Sequence, residues 1–212
     1  MERFHYLKDI SEFAADLASA APTPGGGAAA AVLGTTGIAL GEMVGNLTIG
    51  KKKYAEVEGQ VKAAMEKLTP CREQMLAMFE KDAAAFDGFG EAGKLPKDTD
   101  EQKAARAEAM QKALKAATLS PDATAELGIQ ALRQVNAIAQ VGNKHAISDC
   151  GCGALSLFAC INAAVLNIYI NLPGIKDEEF RGKYQARAES YEKEARELLE
   201  GTLKVVRAAI GS

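Results

Sequence analysis

Apolar positions recur at helical spacing along almost the whole chain. Leu7, Ile10, Phe13, Ala14 and Leu17 share one face of a short helix predicted over 6–20. Pro22-Thr23-Pro24-Gly25-Gly26-Gly27 cannot extend it and reads as a committed loop. A second helix is expected from there to about Gly50. In it Gly37, Gly41 and Gly45 recur every four residues and line up a strip without side chains. The strip suits close backbone packing; it would also admit a flat ligand ring or a partner helix. Val57, Val61, Met65 and Leu68, then Met75, Met78, Phe79 and Phe86, carry the pattern from about 54 to 90. Pro70 is expected to break or kink that helix, with Thr69 capping its second half.

Gly88, Gly90, Gly93 and Pro96 mark 88–99 as a loop, and an Ala-rich charged helix is predicted over 100–117. Ser120-Pro121 looks like the cap and first residue of a further helix that runs to Val141 and stops at Gly142. Ser148 is expected to cap the next helix, with Asp149 in its first turn, where negative charge suits the helix dipole. That helix is apolar nearly all round until Pro173-Gly174, and Asp177 caps a last, charged helix to about Ala209. The pattern predicts six to eight helical pieces and no strand. It is an all-α fold: a single domain over 1–212, a helical bundle with two apolar central helices.

Composition narrows the class. The chain has 25 Lys+Arg, 28 Asp+Glu and a formal charge of −3, so it lacks the basic excess of a non-specific nucleic-acid binder. At 48% hydrophobic and 25% charged it has the make-up of a globular protein with a full core. Residues 26–49 and 150–172 are each long enough to span a bilayer, but the first is mostly Ala, Gly and Thr and the second holds Asn162, Asn167 and Asn171. Buried bundle helices explain both better, so no membrane partner is expected. Cys71, Cys150, Cys152 and Cys160 form no CxxC pair and only His5 and His145 accompany them, so no metal site is expected and the thiols read as small buried hydrophobes. The polar, mixed-charge N-terminus points to the cytoplasm.

Four features carry candidate chemistry. The Gly-rich loop is neither GxxxxGK[ST] nor a GxGxxG after a strand; it offers backbone N–H groups at a helix start, or is only a turn. Asp82 shares a helix face with Phe79 and Phe86, an expensive place for a carboxylate unless it lies at the edge of that face. His145 and Asp149 are spaced to form a pair, with no nucleophile motif beside them. Lys51, Lys52 and Lys53 form a cationic cluster that also suits a solvated helix end.

Taken in order, several motifs resemble the cyclodeaminase/cyclohydrolase family. They are Ala20-Ala21-Pro22-Thr23-Pro24-Gly25-Gly26-Gly27, Asn46-Leu47-Thr48-Ile49-Gly50-Lys51-Lys52-Lys53-Tyr54, Asp82…Ala85-Phe86, Leu95-Pro96-Lys97 and Gly142-Asn143…Ala146-Ile147-Ser148-Asp149. This is the C-terminal domain family of formiminotransferase-cyclodeaminase. It holds formiminotetrahydrofolate cyclodeaminase domains and stand-alone methenyltetrahydrofolate cyclohydrolases. The match spans roughly residues 4 to 180. Where the family usually has Asn before Ala/Val-Ile-Ser-Asp, this chain has His145, and Pro70 is a second departure.

The resemblance implies a dimeric helical bundle with a folate site in a groove near the dimer interface. It implies Asp82 as the carboxylate facing the reacting carbon, and Asp149 as the alternative base or as a reader of the pterin. Gly25, Gly26 and Gly27 would give backbone contacts, and Asn143, His145 and Ser148 polar ones. Lys51, Lys52 and Lys53 would attract the carboxylates of a glutamate or polyglutamate tail. No cofactor is expected beyond the tetrahydrofolate-derived substrate. Without a formiminotransferase domain, the cyclohydrolase is favoured over the cyclodeaminase. A non-catalytic helical oligomerisation protein is the alternative of another kind.

Overall fold

The computed structural model describes residues 10–211, and among them are six α-helices and no strand. The helices are α1 (Ile10–Leu17), α2 (Gly26–Asn46), α3 (Glu58–Lys94), α4 (Asp100–Val141), α5 (Ile147–Asn171) and α6 (Glu178–Ile210). Short 3₁₀ turns precede α3, α5 and α6. The predicted start of the first helix at residue 6, the Leu7 position and the N-terminal hexapeptide lie outside the described residues.

α5 packs against α2, α4 and α6, while α3 packs against α2 and α4. Ile38 and Val44 of α2 and Leu157, Ile161 and Ile168 of α5 are completely buried. The glycine strip is a packing device. A Cβ on Gly37 would sit 2.7 Å from the Gly153 carbonyl, and one on Gly153 would sit 2.9 Å from the Gly37 carbonyl. The two backbones therefore touch, which closes the strip to a ligand ring.

Two helices are longer than the sequence suggests. α3 runs unbroken through Pro70 to Lys94, so Thr69 caps nothing and the loop shrinks to the residues after Lys94. α4 runs unbroken through Pro121. In both, the buried face continues across the proline: Leu68, Cys71 and Met75 in α3, and Thr118, Pro121 and Ala125 in α4. Tertiary packing holds the axis where local hydrogen bonding is lost. Thr99 begins α4 with a complete capping box to Gln102.

Ser148 is not a cap. α5 begins at Ile147, and the Asn143 side chain instead accepts from the His145 N–H to close the preceding turn. Gly142 ends α4 in an extended conformation and Asp177 caps α6 through the Phe180 N–H. All four thiols are free; Cys71, Cys150 and Cys160 are buried, but Cys152 is exposed.

α2 and the α5 segment are long and apolar enough by composition to cross a membrane. They sit centrally in the bundle, yet each keeps an apolar stripe on the outside. Leu33 and Met43 of α2 and Leu155, Leu166 and Ile170 of α5 are 37%, 40%, 49%, 67% and 78% exposed. The stripes adjoin, since Ser156 Oγ donates to the Leu33 carbonyl.

Candidate active site

Asp82 and the glycine loop meet. The cis Thr23–Pro24 peptide leads into Gly25, whose extended backbone starts α2. The first N–H groups of α2 have no intrahelical partner, so the helix start is a natural seat for negative charge. Asp82, two-thirds of the way along α3, is brought to that start. A Cβ on Gly27 would lie 2.0 Å from Asp82 Oδ1 and 2.6 Å from Oδ2, so only glycine leaves room for the carboxylate. Burial raises the Asp82 pKa above its usual value, while the Ala28 backbone N–H acts in the opposite direction.

Around this carboxylate is a cavity of about 330 Å³ lined by Pro22, Thr23, Gly25, Gly26, Gly27, Asp82, Ala85, Phe86, Phe89, Ala117, Asn167, Ile170 and Asn171. It pairs aromatic and aliphatic walls with a few convergent polar groups, the make-up of a small-molecule site. Another cavity, about 300 Å³ between α1, α2 and α3, is walled by Phe13, Val32, Leu76 and Phe79 and has no titratable lining. The titratable group lies in the first.

Asn167, Asn171, Phe89 and Ile170 line the Asp82 cavity without having been expected there from the sequence. Pro121 explains one of them. Having no N–H, it leaves the Ala117 carbonyl without its helical partner. Asn171 Nδ2 fills that gap at 3.0 Å and also donates to the Asn167 carbonyl at 2.9 Å. Asn167 Nδ2 donates to the Ala163 carbonyl at 2.8 Å. With the nitrogens committed to carbonyls, both side-chain oxygens remain as acceptors. The available signal was two asparagines four residues apart on a mostly apolar helix, which places both on one face.

The remaining candidates gather at the other end of the bundle. α2 separates them from the glycine loop by its own length, about 30 Å. There Asn143 is a staple. Its N–H donates to Thr48 Oγ1, its Nδ2 to the Leu47 carbonyl, and its Oδ1 accepts from Tyr54 and from the His145 N–H. Tyr54 OH in turn accepts from the Lys144 N–H. Lys51, Lys52 and Lys53 lie on the turn this network pins, with Lys53 Nζ 5.6 Å from the centre of the Tyr54 ring. His145 and Ser148 are exposed and Asp149 is half-buried in the first turn of α5. His145 and Asp149 form no ion pair. Within one chain, Asp149 is therefore remote from Asp82: eighteen residues of α5 separate it from Asn167, about 27 Å.

The closeness of Gly27 and Asp82 makes a sharp expectation. Gly27→Ala should displace the carboxylate, lower turnover at least about tenfold and destabilise the fold by about 1–3 kcal/mol. Gly59→Ala, whose Cβ would meet nothing within 4 Å, should leave turnover unchanged. Initial rates and melting curves on the two variants check this; an unaffected Gly27→Ala enzyme would contradict the geometry.

The chain belongs to the formiminotransferase-cyclodeaminase family, whose profile matches residues 9–190. It is 43% identical over 201 residues to the methenyltetrahydrofolate cyclohydrolase of Methylorubrum extorquens, covering 95% of this chain and 97% of that protein. It is 33% identical over 174 residues to the formimidoyltransferase-cyclodeaminase of Gallus gallus, covering 82% of this chain but only 32% of that longer protein. Its fold matches the crystal structure of a formiminotetrahydrofolate cyclodeaminase from Thermotoga maritima with a TM-score of 0.84. The sequence identity is 29%, with 95% of this chain and 96% of the other covered.

Proposed function

We propose that this chain is a methenyltetrahydrofolate cyclohydrolase, converting 5,10-methenyltetrahydrofolate to 10-formyltetrahydrofolate. The observation that carries the reading is the Asp82 carboxylate, partly desolvated and held against the start of α2 in a pocket with aromatic walls. The full-length similarity to a cyclohydrolase supports it.

The substrate is a cation with its charge shared over N5, the bridging carbon and N10. A nearby carboxylate stabilises that charge and accepts a proton from the attacking water. Water adds its oxygen to the bridging carbon and gives one proton to Asp82. The hydrate then loses its hydroxyl proton to solvent as the carbon–N5 bond breaks, and Asp82 returns its proton to N5. The products are the N10-formyl compound and one net proton, and no further cofactor is called for. The Oδ1 atoms of Asn167 and Asn171 suit the amino and N–H donors of the pterin, and Phe86 and Phe89 its flat face or the benzoyl ring.

The second reading is the cyclodeaminase, favoured by the Thermotoga maritima structure. There N10 attacks a formimino carbon held on N5, and ammonia leaves. The same carboxylate stabilises the resulting cation. Purified protein given each substrate separately distinguishes the two. Loss of methenyl absorbance well above the uncatalysed rate, with little ammonia from the formimino compound, is the expected result. Ammonia release with no acceleration of methenyl hydrolysis would reverse the assignment.

The reading includes a homodimer in the cytoplasm that needs neither a membrane nor nucleic acid. The adjoining stripes on α2 and α5 are its proposed interface, and Ile170 belongs to both stripe and pocket. A partner packed antiparallel to α2 across this face would carry its own Lys51–Lys53, His145, Ser148 and Asp149 toward the pocket. That arrangement reconciles two clusters which one chain keeps far apart.

A further inference from the structure

Asp82, Phe86, Phe89 and Gly93 are spaced four, three and four residues apart and fall on a single stripe of α3. α4 runs back along α3, and the register is fixed at both ends. Ala117 lies with Asp82 in the pocket lining, and Arg106 Nη2 donates to the Gly93 carbonyl at 2.8 Å. Eleven residues separate each pair, so the stripe leads about 16 Å from the carboxylate to the guanidinium. Phe86 and Phe89 stand between.

Arg106 is half-buried, and its Nε is buried with no hydrogen-bond partner. Among the described residues no carboxylate pairs with it. Two neighbouring lysines are already engaged, Lys94 with Glu91 and Lys103 with Asp100. A guanidinium without an acid, at the end of an aromatic track, is suited to an incoming carboxylate.

We infer that Arg106 binds the glutamyl carboxylate of the folate substrate, with the p-aminobenzoyl ring lying along Phe86 and Phe89. This rests on the folate reading of the Asp82 pocket. The benzoyl ring, its amide and the glutamyl side chain laid end to end span about 10–15 Å, which matches the stripe. The assignment differs from the one the sequence suggests, in which Lys51–Lys53 hold the tail. Within one chain those lysines are at the far end of α2, whereas Arg106 is on the hairpin that carries Asp82.

The test compares methenyltetrahydrofolate with methenyltetrahydropteroate, which has the same reacting ring and no glutamate. Arg106→Gln keeps a donor for the Gly93 carbonyl and removes the charge; Arg106→Lys restores a charge without the fork. Arg106→Gln should raise KM for the glutamyl substrate about 10- to 100-fold, the scale of a charge-assisted hydrogen bond. It should leave kcat and the pteroate KM near wild type. Arg106→Lys should recover part of the loss. Equal impairment on both substrates would make Arg106 a structural tie to Gly93 and overturn the inference. So would a glutamate preference that survives Arg106→Gln and vanishes in Lys52→Ala with Lys53→Ala. Wild-type protein inactive on both methenyl substrates and on the formimino compound would instead remove the folate reading itself.

Discussion

Asp82→Asn should lose most of its turnover and yet melt no lower than wild type at neutral pH. Asn keeps the shape and an acceptor but removes the charge and the basicity. If the carboxylate stabilises the cation and takes the water proton, even about 2 kcal/mol of lost transition-state stabilisation is a thirtyfold fall in rate. The stability expectation follows from the raised pKa of Asp82, caused by burial. A carboxyl whose folded pKa lies above its unfolded value is easiest to bury while protonated. Its ionised form therefore weakens the fold as pH rises through that window. Asn removes this penalty, so the variant should gain on wild type at neutral pH and the gap should close below the ordinary carboxylate value of 3.8. The acidic limb of the wild-type rate profile should likewise lie above that value. Asp149→Asn, at the far end of the same chain, should lose less on the chemical step. A near-normal rate for Asp82→Asn, or the reverse order of the two variants, would move the base away from Asp82.

Leu155→Glu combined with Leu166→Glu should convert the proposed dimer to monomers and reduce turnover to below about a tenth. Neither side chain lines the pocket, and both are exposed at 49% and 67%. Charge on an apolar stripe leaves the monomer fold largely undisturbed but is expensive to bury against a second copy. Light scattering beside initial rates reads both effects. A variant that is monomeric and fully active would show that the pocket of one chain suffices, and would take Lys51–Lys53 and Asp149 out of the site.

The sequence was most informative where chemistry and punctuation coincide. The Pro/Gly loop marked the start of α2, and Asp82 among phenylalanines marked the carboxylate that fills the space beside Gly27. It was least informative where packing overrides local preference. Pro70 and Pro121 look like helix boundaries, but buried faces on either side carry both helices through them. The site residues on α5 were hidden for a related reason. Asn167 and Asn171 read as polar interruptions of an apolar helix. The role of Asn171 depends on the Ala117 carbonyl freed by Pro121, a partner 54 residues away in sequence. Ser148 resembles a cap by spacing, but Asn143 closes the turn one step earlier. The distance between Lys51–Lys53 and the glycine loop was also illegible, because motif order says nothing about which end of a bundle each motif reaches.

A structure with an unreactive tetrahydrofolate analogue would show whether the folate ring sits in the Asp82 pocket. The pterin is expected beside Asn167 and Asn171, the one-carbon position facing Asp82, and the benzoyl ring against Phe86 or Phe89. A ligand bound at the Asp149 end of a chain, with the Asp82 pocket empty and Asp82 away from every reacting atom, would contradict it.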